Sequence, residues 1–523
     1  MKRYRQANEN IHASEELKEK AARPAPKRTY ARWTGAVAAV LAVVLIGGIA
    51  MWPGKAQPSV DNPNGPAPFS LEGGSRMAGR STAQATALAV AKYPEMHPYP
   101  RDDDFFSGED AEKASKAYSD AYDAWWKDRD ALRSGTDYTG LMDDFISRST
   151  AQFLAGAGED NRVYSPLNVY MALSMLAETT EDNTRAQILD LLQADDLETL
   201  RERANALWRD NYRDDGTVTS ILGNSLWLRD DFTYSKKTLN TLAEDYYASS
   251  FSGRMGSEEY NQALRDWINE QTNGLLAEQA EGLEMDAATV LALASTIYFK
   301  AAWSGEFNKE NTETDAFHAL SGDVNAEFMR RTMESTFYWG DNFTAVQLCF
   351  QEGGSMWFLL PAEGCSVDEL LQTGEVMEFL LSPKYDQYDN KGNVTREGWT
   401  GQKFLTIHLS MPRFDVSSDL DLIEGLKALG VTDVFDPAVS NFDPLEASTD
   451  DPLYVSQAQH AARVKVDEEG CEAAAYTVMM VEATGLAIPE DEVDFILDRP
   501  FLFAVIGDSG LPLFIGVVNQ PNG

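Results

Sequence analysis

The sequence predicts one large α+β domain running from residue 141 to the C-terminus, and three observations carry that prediction. Apolar residues recur at helical spacing in Leu141, Met142, Phe145, Ile146, Phe153 and Leu154. Two mostly apolar runs, residues 290–302 and Ser355–Pro361, read as buried strands. Near the end, Phe501–Ile506 and residues 513–518 flank the turn 507–510 and predict a strand pair. Between these elements, Ser165-Pro166 opens a second helix, with serine in the capping position and proline in the first turn. No internal repeat is visible.

Charge and cysteine content narrow the functional classes. The 523 residues hold 83 acidic and 44 basic side chains, a net charge of -39. Such a surface repels phosphate backbones, so a nucleic-acid partner is not expected, and the acidity serves solubility. Three cysteines, Cys349, Cys365 and Cys471, form neither a disulfide framework nor a metal-binding spacing, although a Cys349–Cys365 bridge stays open. Only five histidines are present, and GxSxG, HExxH and GxxxxGK are absent, so no catalytic constellation, metal or cofactor is implied.

The N-terminal part is organised differently. Residues 1–32 carry nine Lys or Arg and four Glu, a basic tail of cytoplasmic type. Residues 33–52 follow, and from Thr34 to Trp52 no charge occurs, which matches a single membrane-spanning helix bracketed by Trp33 and Trp52. The positive side places everything after Trp52 outside the cell, in a membrane-anchored, bacterial-type arrangement. Gly48-Ile49-Ala50 also offers the small residues of a signal cleavage site, which would release a secreted protein. A buried core helix is the remaining alternative. Residues 53–140 are a linker rich in proline to about residue 76, then a spacer. That spacer has a helical stretch near residues 85–91, a proline-broken section at 97–100 and a helix around 110–126.

One further segment is unusual. Residues 470–481, GCEAAAYTVMMV, carry a single charge. Split by a period of two, Cys471, Ala473, Ala475, Thr477, Met479 and Val481 form a face with no charge, and Glu472 lies on the other with Ala474 and Tyr476. Taken alone, this is an ordinary strand. The stretch Asp467-Glu468-Glu469-Gly470 ahead of it ends in a residue that tolerates unusual φ, which marks a hinge.

Several segments, in order over about 380 residues, resemble the serpin family. Asn161 to Val169, with Ser165-Pro166-Leu167-Asn168, is similar to the family's NxxxSPxS helix opening. Trp267-Ile268-Asn269 with Thr272-Asn273-Gly274 resembles its WV…TxGKI segment. Thr296-Ile297-Tyr298-Phe299-Lys300, Trp303, Phe307, Thr312 and Phe317 match its central strand and exit. Met411-Pro412-Arg413-Phe414, residues 426–435, residues 467–477 and residues 499–503 complete the pattern.

The resemblance implies three β-sheets, eight or nine helices and an exposed reactive-centre loop near the C-terminus. It implies a monomeric inhibitor, not an enzyme, whose partner is a target endopeptidase: the loop is cut, an acyl-enzyme forms, and the cleaved loop inserts into the main sheet. Glu468, Glu469, Gly470, Cys471, Glu472, Ala473, Ala474, Ala475 and Thr477 take the place of the hinge. Trp303 marks where the loop first enters. His460 with Ser165 and Ser456 matches the cluster that lets the sheet part. Ser295 and Asn168 depart from that cluster's usual Asn and Ser, respectively.

The resemblance also implies that the residue before the scissile bond lies fourteen beyond the hinge glycine, which from Gly470 places the reactive bond at Thr484–Gly485, with Leu486 and Ile488 as further candidates. No Lys or Arg occurs between Cys471 and Asp498, which points to a serine or cysteine protease of small or apolar specificity. Tyr476 is expected to point outward. The alternative within the family is a non-inhibitory binding or carrier protein, against which the intact run Ala473-Ala474-Ala475 argues.

Overall fold

The structure is a computed structural model that describes residues 41–50, 85–105, 111–138, 140–305, 307–382, 387–388, 394–395, 401–447, 452–471 and 491–521. Among the described residues, three sheets with helices packed around them form the α+β fold expected from the sequence.

The main sheet runs, strand by strand, Phe414–Asp421, Tyr454–Val466, Leu41–Ala50, Thr289–Ala302, Val218–Arg229, Ala248–Gly253 and Thr86–Ala89. Its central strand, Thr289–Ala302, is buried at every position except Lys300, which is why its sequence is mainly apolar rather than alternating. One face of that strand (Leu291, Leu293, Ile297, Phe299) enters the main core. The other (Ala292, Ala294, Tyr298) packs with Tyr260, Leu264 and Trp267 of helix Glu258–Gln271 in a second core.

A second sheet contains Ser355–Pro361, Phe501–Ile506 and Pro512–Val518 side by side, so the expected apolar run and terminal pair sit where the sequence put them. Helix Pro166–Thr179 is buried at all its positions, and Ser165 caps it by accepting from the Asn168 amide at 3.2 Å. Helix Asp143–Leu154 buries Phe145, Ile146, Phe153 and Leu154 as its spacing predicts, while Leu141 stays on the surface.

Two N-terminal expectations are corrected. The stretch near residues 85–91 is not helical: Thr86–Ala89 is a strand added antiparallel to the edge strand Ala248–Gly253. Open backbone groups at a sheet edge outweigh the helix preference of alanine and leucine, which tertiary context readily overrides. The placement across a membrane is also overturned. Among the described residues no helix is long and apolar enough to cross a membrane. Leu41–Ala50, the described part of the uncharged run, is a strand of the main sheet.

The spacer helix Ala111–Leu132 docks on the domain. Trp125 donates its indole N–H to Asp215 at 2.8 Å, Arg129 pairs with Asp508 at 2.6 Å, and the Tyr99 hydroxyl donates to Glu352 at 2.8 Å.

Candidate functional site

The expected hinge begins where strand Tyr454–Val466 leaves the main sheet. Asp467 and Gly470 form a tight bridge, the Gly470 amide donating to the Asp467 carbonyl at 3.3 Å. Gly470 has φ +108, and a Cβ there would lie 2.5 Å from the Trp303 nitrogen. Only glycine fits. Gly470–Cys471 then pairs antiparallel with the end of the central strand, Gly470 opposite Ala302 and Cys471 opposite Ala301.

Trp303 locks this turn from below. Fully buried and stacked on Phe350 with ring centroids 4.9 Å apart, it donates its indole N–H to the Asp467 carbonyl at 3.0 Å. Its backbone N–H donates to the Glu469 carbonyl at 3.2 Å, and the Phe307 N–H to the Glu468 carbonyl at 3.2 Å.

Glu468 is buried, 1% exposed, yet ionised. Burial pushes its pKa up, but hydrogen bonds from Arg413 and Thr312 outweigh that and hold the carboxyl below its usual range. Arg413 grips it through Nε at 2.9 Å and Nη2 at 2.6 Å, and the Thr312 hydroxyl donates at 2.5 Å. Glu469 pairs with Lys309. Burial raises Asp467 to about 6. Arg413, Lys309 and Asp467 border an open cleft of about 660 Å³ beside the turn.

Lower in the sheet lies the second predicted cluster. His460 is fully buried, and its Nε2 accepts from the Ser165 amide at 3.1 Å, which leaves the proton on Nδ1. That Nδ1 has no hydrogen-bond partner among the described residues. Asn168 and Ser295, the two departures from the family pattern, face each other: the Asn168 amide donates to the Ser295 hydroxyl at 3.1 Å. Ser295 in turn donates to Asn224 at 2.7 Å, and Asn224 to the Tyr246 carbonyl at 2.9 Å. The amide and the hydroxyl have changed places across the gap, so each departure compensates the other.

Ser456 is not brought into this group. It sits four residues along the strand from His460, roughly 13 Å away at about 3.3 Å per residue, where the register skips between Gln457 and Val455. The bulge moves the strand on by one position. Glu472, Ala473, Ala474, Ala475, Thr477, Thr484 and Gly485 lie outside the described residues, as do Leu486 and Ile488. Cys349 and Cys365 are free thiols, so the open question of a bridge is answered.

Three groups escaped the sequence reading. Arg413 and Thr312 fell inside matched segments but carried no sign of their partner, because Glu468 is 55 and 156 residues away, respectively. Asn224 lies mid-strand, and nothing in its neighbourhood singles it out.

Burial pulls the His460 pKa from its ordinary value down to about 3. The unfolded chain therefore takes up a proton near pH 6.5 that the folded chain refuses, and stability is lost as pH falls through the window from about 6.5 to 3. Between pH 6 and 4 the wild type is expected to lose about 1.4 kcal/mol per pH unit more than His460→Gln. Urea unfolding of both chains at each pH measures the difference, and parallel pH profiles would contradict it.

A protein-family model for Serpin (serine protease inhibitor) matches residues 142–521. Serpin-ZX of Arabidopsis thaliana is 29% identical over 379 residues, covering 69% of this chain and 92% of that protein. Neuroserpin of Mus musculus is 28% identical over 386 residues, covering 70% and 88%, respectively. The native crystal structure of tengpin, a thermophilic serpin, superposes with a TM-score of 0.62 at 25% identity, over 74% of this chain and 96% of that one. The curated relatives named are from plants and animals, and they give the expected bacterial type no support.

Proposed function

Because the chain belongs to the serpin family, we propose that it inhibits endopeptidases irreversibly by inserting its own cleaved loop into the main sheet. The observation that carries this reading is the seated hinge: Gly470–Cys471 already pairs antiparallel with Ala302–Ala301 at the mouth of the sheet.

Continuing that pairing one residue at a time brings Ala473 opposite Phe299, Ala475 opposite Ile297, Thr477 opposite Ser295 and Met479 opposite Leu293. Phe299, Ile297 and Leu293 line the main core. The uncharged face of the loop therefore meets the main core. On this reading Tyr476 comes opposite Thr296, which is fully buried, and lies on a covered side of the strand. Helix Glu258–Gln271 supplies that cover.

A protease cuts the loop by forming an ester or thioester between its nucleophile and the loop carbonyl, with the new amine leaving on the C-terminal side. The severed loop then zips along the central strand. Each new backbone hydrogen bond contributes about 0.5–1.5 kcal/mol, and the attached enzyme is carried with the advancing end. A displacement of about 1 Å in a catalytic site is enough to slow hydrolysis of the acyl bond 100-fold. The reactive bond is Thr484–Gly485 on this reading, with Leu486 and Ile488 next, and targets have small or apolar specificity.

Incubating the chain with elastase-like, subtilisin-like, papain-like and trypsin-like proteases tests the proposal. A denaturant-resistant adduct is expected with one or more of the first three and none with the trypsin-like enzyme. Clean cleavage into two fragments, with full protease activity left in every case, would refute it.

A further inference from the structure

The lane that the cleaved loop needs is already filled. Tyr454–Val466 and Thr289–Ala302 do not pair with each other: Leu41–Ala50 lies between them, antiparallel to both. On the central strand Leu41 is opposite Phe299, Val43 opposite Ile297, Leu45 opposite Ser295 and Ile49 opposite Leu291. Extending the hinge pairing puts Ala473, Ala475, Thr477 and Val481 at those same four partners. Both segments run in the same direction along the strand. Two chains cannot hold one set of backbone partners.

The two competitors are chemically alike. LAVVLIGGIA carries no charge, and neither does AAAYTVMMV, residues 473–481. Either fits a lane whose flanking positions, His460, Ile297 and Leu293 among them, are buried, where an ionised side chain would be costly. The strand is tethered by residues 51–84, a stretch that contains Pro53, Pro58, Pro63, Pro66 and Pro68 and spans at most about 110–120 Å. It is therefore free to leave the sheet without detaching from the chain.

Resting on the inhibitory reading above, we infer that Leu41–Ala50 is an intrachain plug. While it is seated, the cleaved loop must displace it, and much of the acyl-enzyme is hydrolysed before insertion is complete. When it leaves, the lane opens and capture becomes efficient. The fraction of protease trapped is set by this competition between two segments of one chain.

Gly47→Pro in the full chain tests the inference, because Gly47 pairs with Ala458 on one side and Leu293 on the other and proline cannot donate to a ladder. Three readouts are compared between the wild type and this variant: amide exchange of residues 41–50, binding of a synthetic peptide of residues 473–482, and adduct yield with the trapped protease. In the wild type, exchange over 41–50 is expected to be slowed at least about 100-fold relative to an unstructured peptide. In Gly47→Pro that protection is expected to vanish, the peptide to bind at least about tenfold more tightly, and the adduct yield to rise.

Unprotected amides over 41–50 in the wild type, or equal peptide binding by both chains, would overturn the plug whether or not proteases are trapped. The wild-type exchange readout decides the matter even if Gly47→Pro does not fold. Conversely, protected amides and peptide binding confined to the variant, with no adduct from either chain, would leave the plug standing and remove the inhibitory reading.

Discussion

Ala475→Glu is expected to turn the chain from a trap into a substrate. The hinge register carries residue 475 to the position opposite Ile297, which is 1% exposed and lies in the main core beside Phe299 and Leu293. A carboxylate there gives up its water and meets only apolar neighbours, at a cost of several kcal/mol. Each rung of the ladder returns about 0.5–1.5 kcal/mol, so insertion stalls at that step. A barrier raised by about 3 kcal/mol slows insertion more than 100-fold, and hydrolysis of the acyl bond then wins. The loop is still cut at the wild-type rate, because residue 475 is far in sequence from the bond attacked, but the adduct fraction on a denaturing gel falls at least tenfold. Trapping at the wild-type level would mean that position 475 never enters the core.

Asp215→Asn is expected to cost about 3–5 kcal/mol of stability, the range for removing one partner of a buried ion pair. Arg213 and Asp215 are both fully buried, with Nε of the guanidinium 2.5 Å from the carboxylate. Asp215 also accepts the Trp125 indole N–H at 2.8 Å and the Thr217 and Val218 amides at 3.0 and 2.9 Å. Without the charge, Arg213 keeps, among the described residues, Asp508 at 3.7 Å as a counter-ion and the Glu352 carbonyl as an acceptor. The same change loosens the spacer helix, because Trp125 stands over the guanidinium at 5.6 Å. A lowered urea midpoint, with recovery in the double variant Arg213→Met/Asp215→Asn, checks the assignment. A midpoint unchanged in Asp215→Asn alone would show that the buried cation needs no partner.

The parts of the fold that the sequence disclosed are those where one local signal had one structural outcome. Ser355–Pro361 is apolar from Met356 onward and too short for a core helix, and it is a buried strand with the bounds expected. Ser165-Pro166 states a helix start in chemical terms, and the helix starts there. Leu41–Ala50 shows where this ends. An uncharged, apolar run satisfies a lipid bilayer and the middle of a sheet buried on both faces equally well, and hydropathy does not separate them. Thr86–Ala89 went astray for a related reason, since an open sheet edge far away in sequence decided its conformation.

The candidate site was legible to about the same depth. Glycine at position 470 was singled out as a hinge from its charged approach, and in the structure it has a positive φ and a crowded Cβ position. The exchange between Asn168 and Ser295 looked like two separate departures in the sequence. Only their 3.1 Å hydrogen bond makes them one feature. The grip of Arg413 on Glu468 was invisible, because ion pairs across 55 residues follow no periodicity.

The most direct test of the central claim is amide exchange over residues 473–482 before and after the loop is cut, with the adduct or the cleaved chain as the second sample. Fast exchange before cleavage and strong protection afterwards, at the level of the central strand Thr289–Ala302, is the predicted result. Exchange that stays fast after cleavage, with the attacking protease still active, would contradict insertion and with it the whole account.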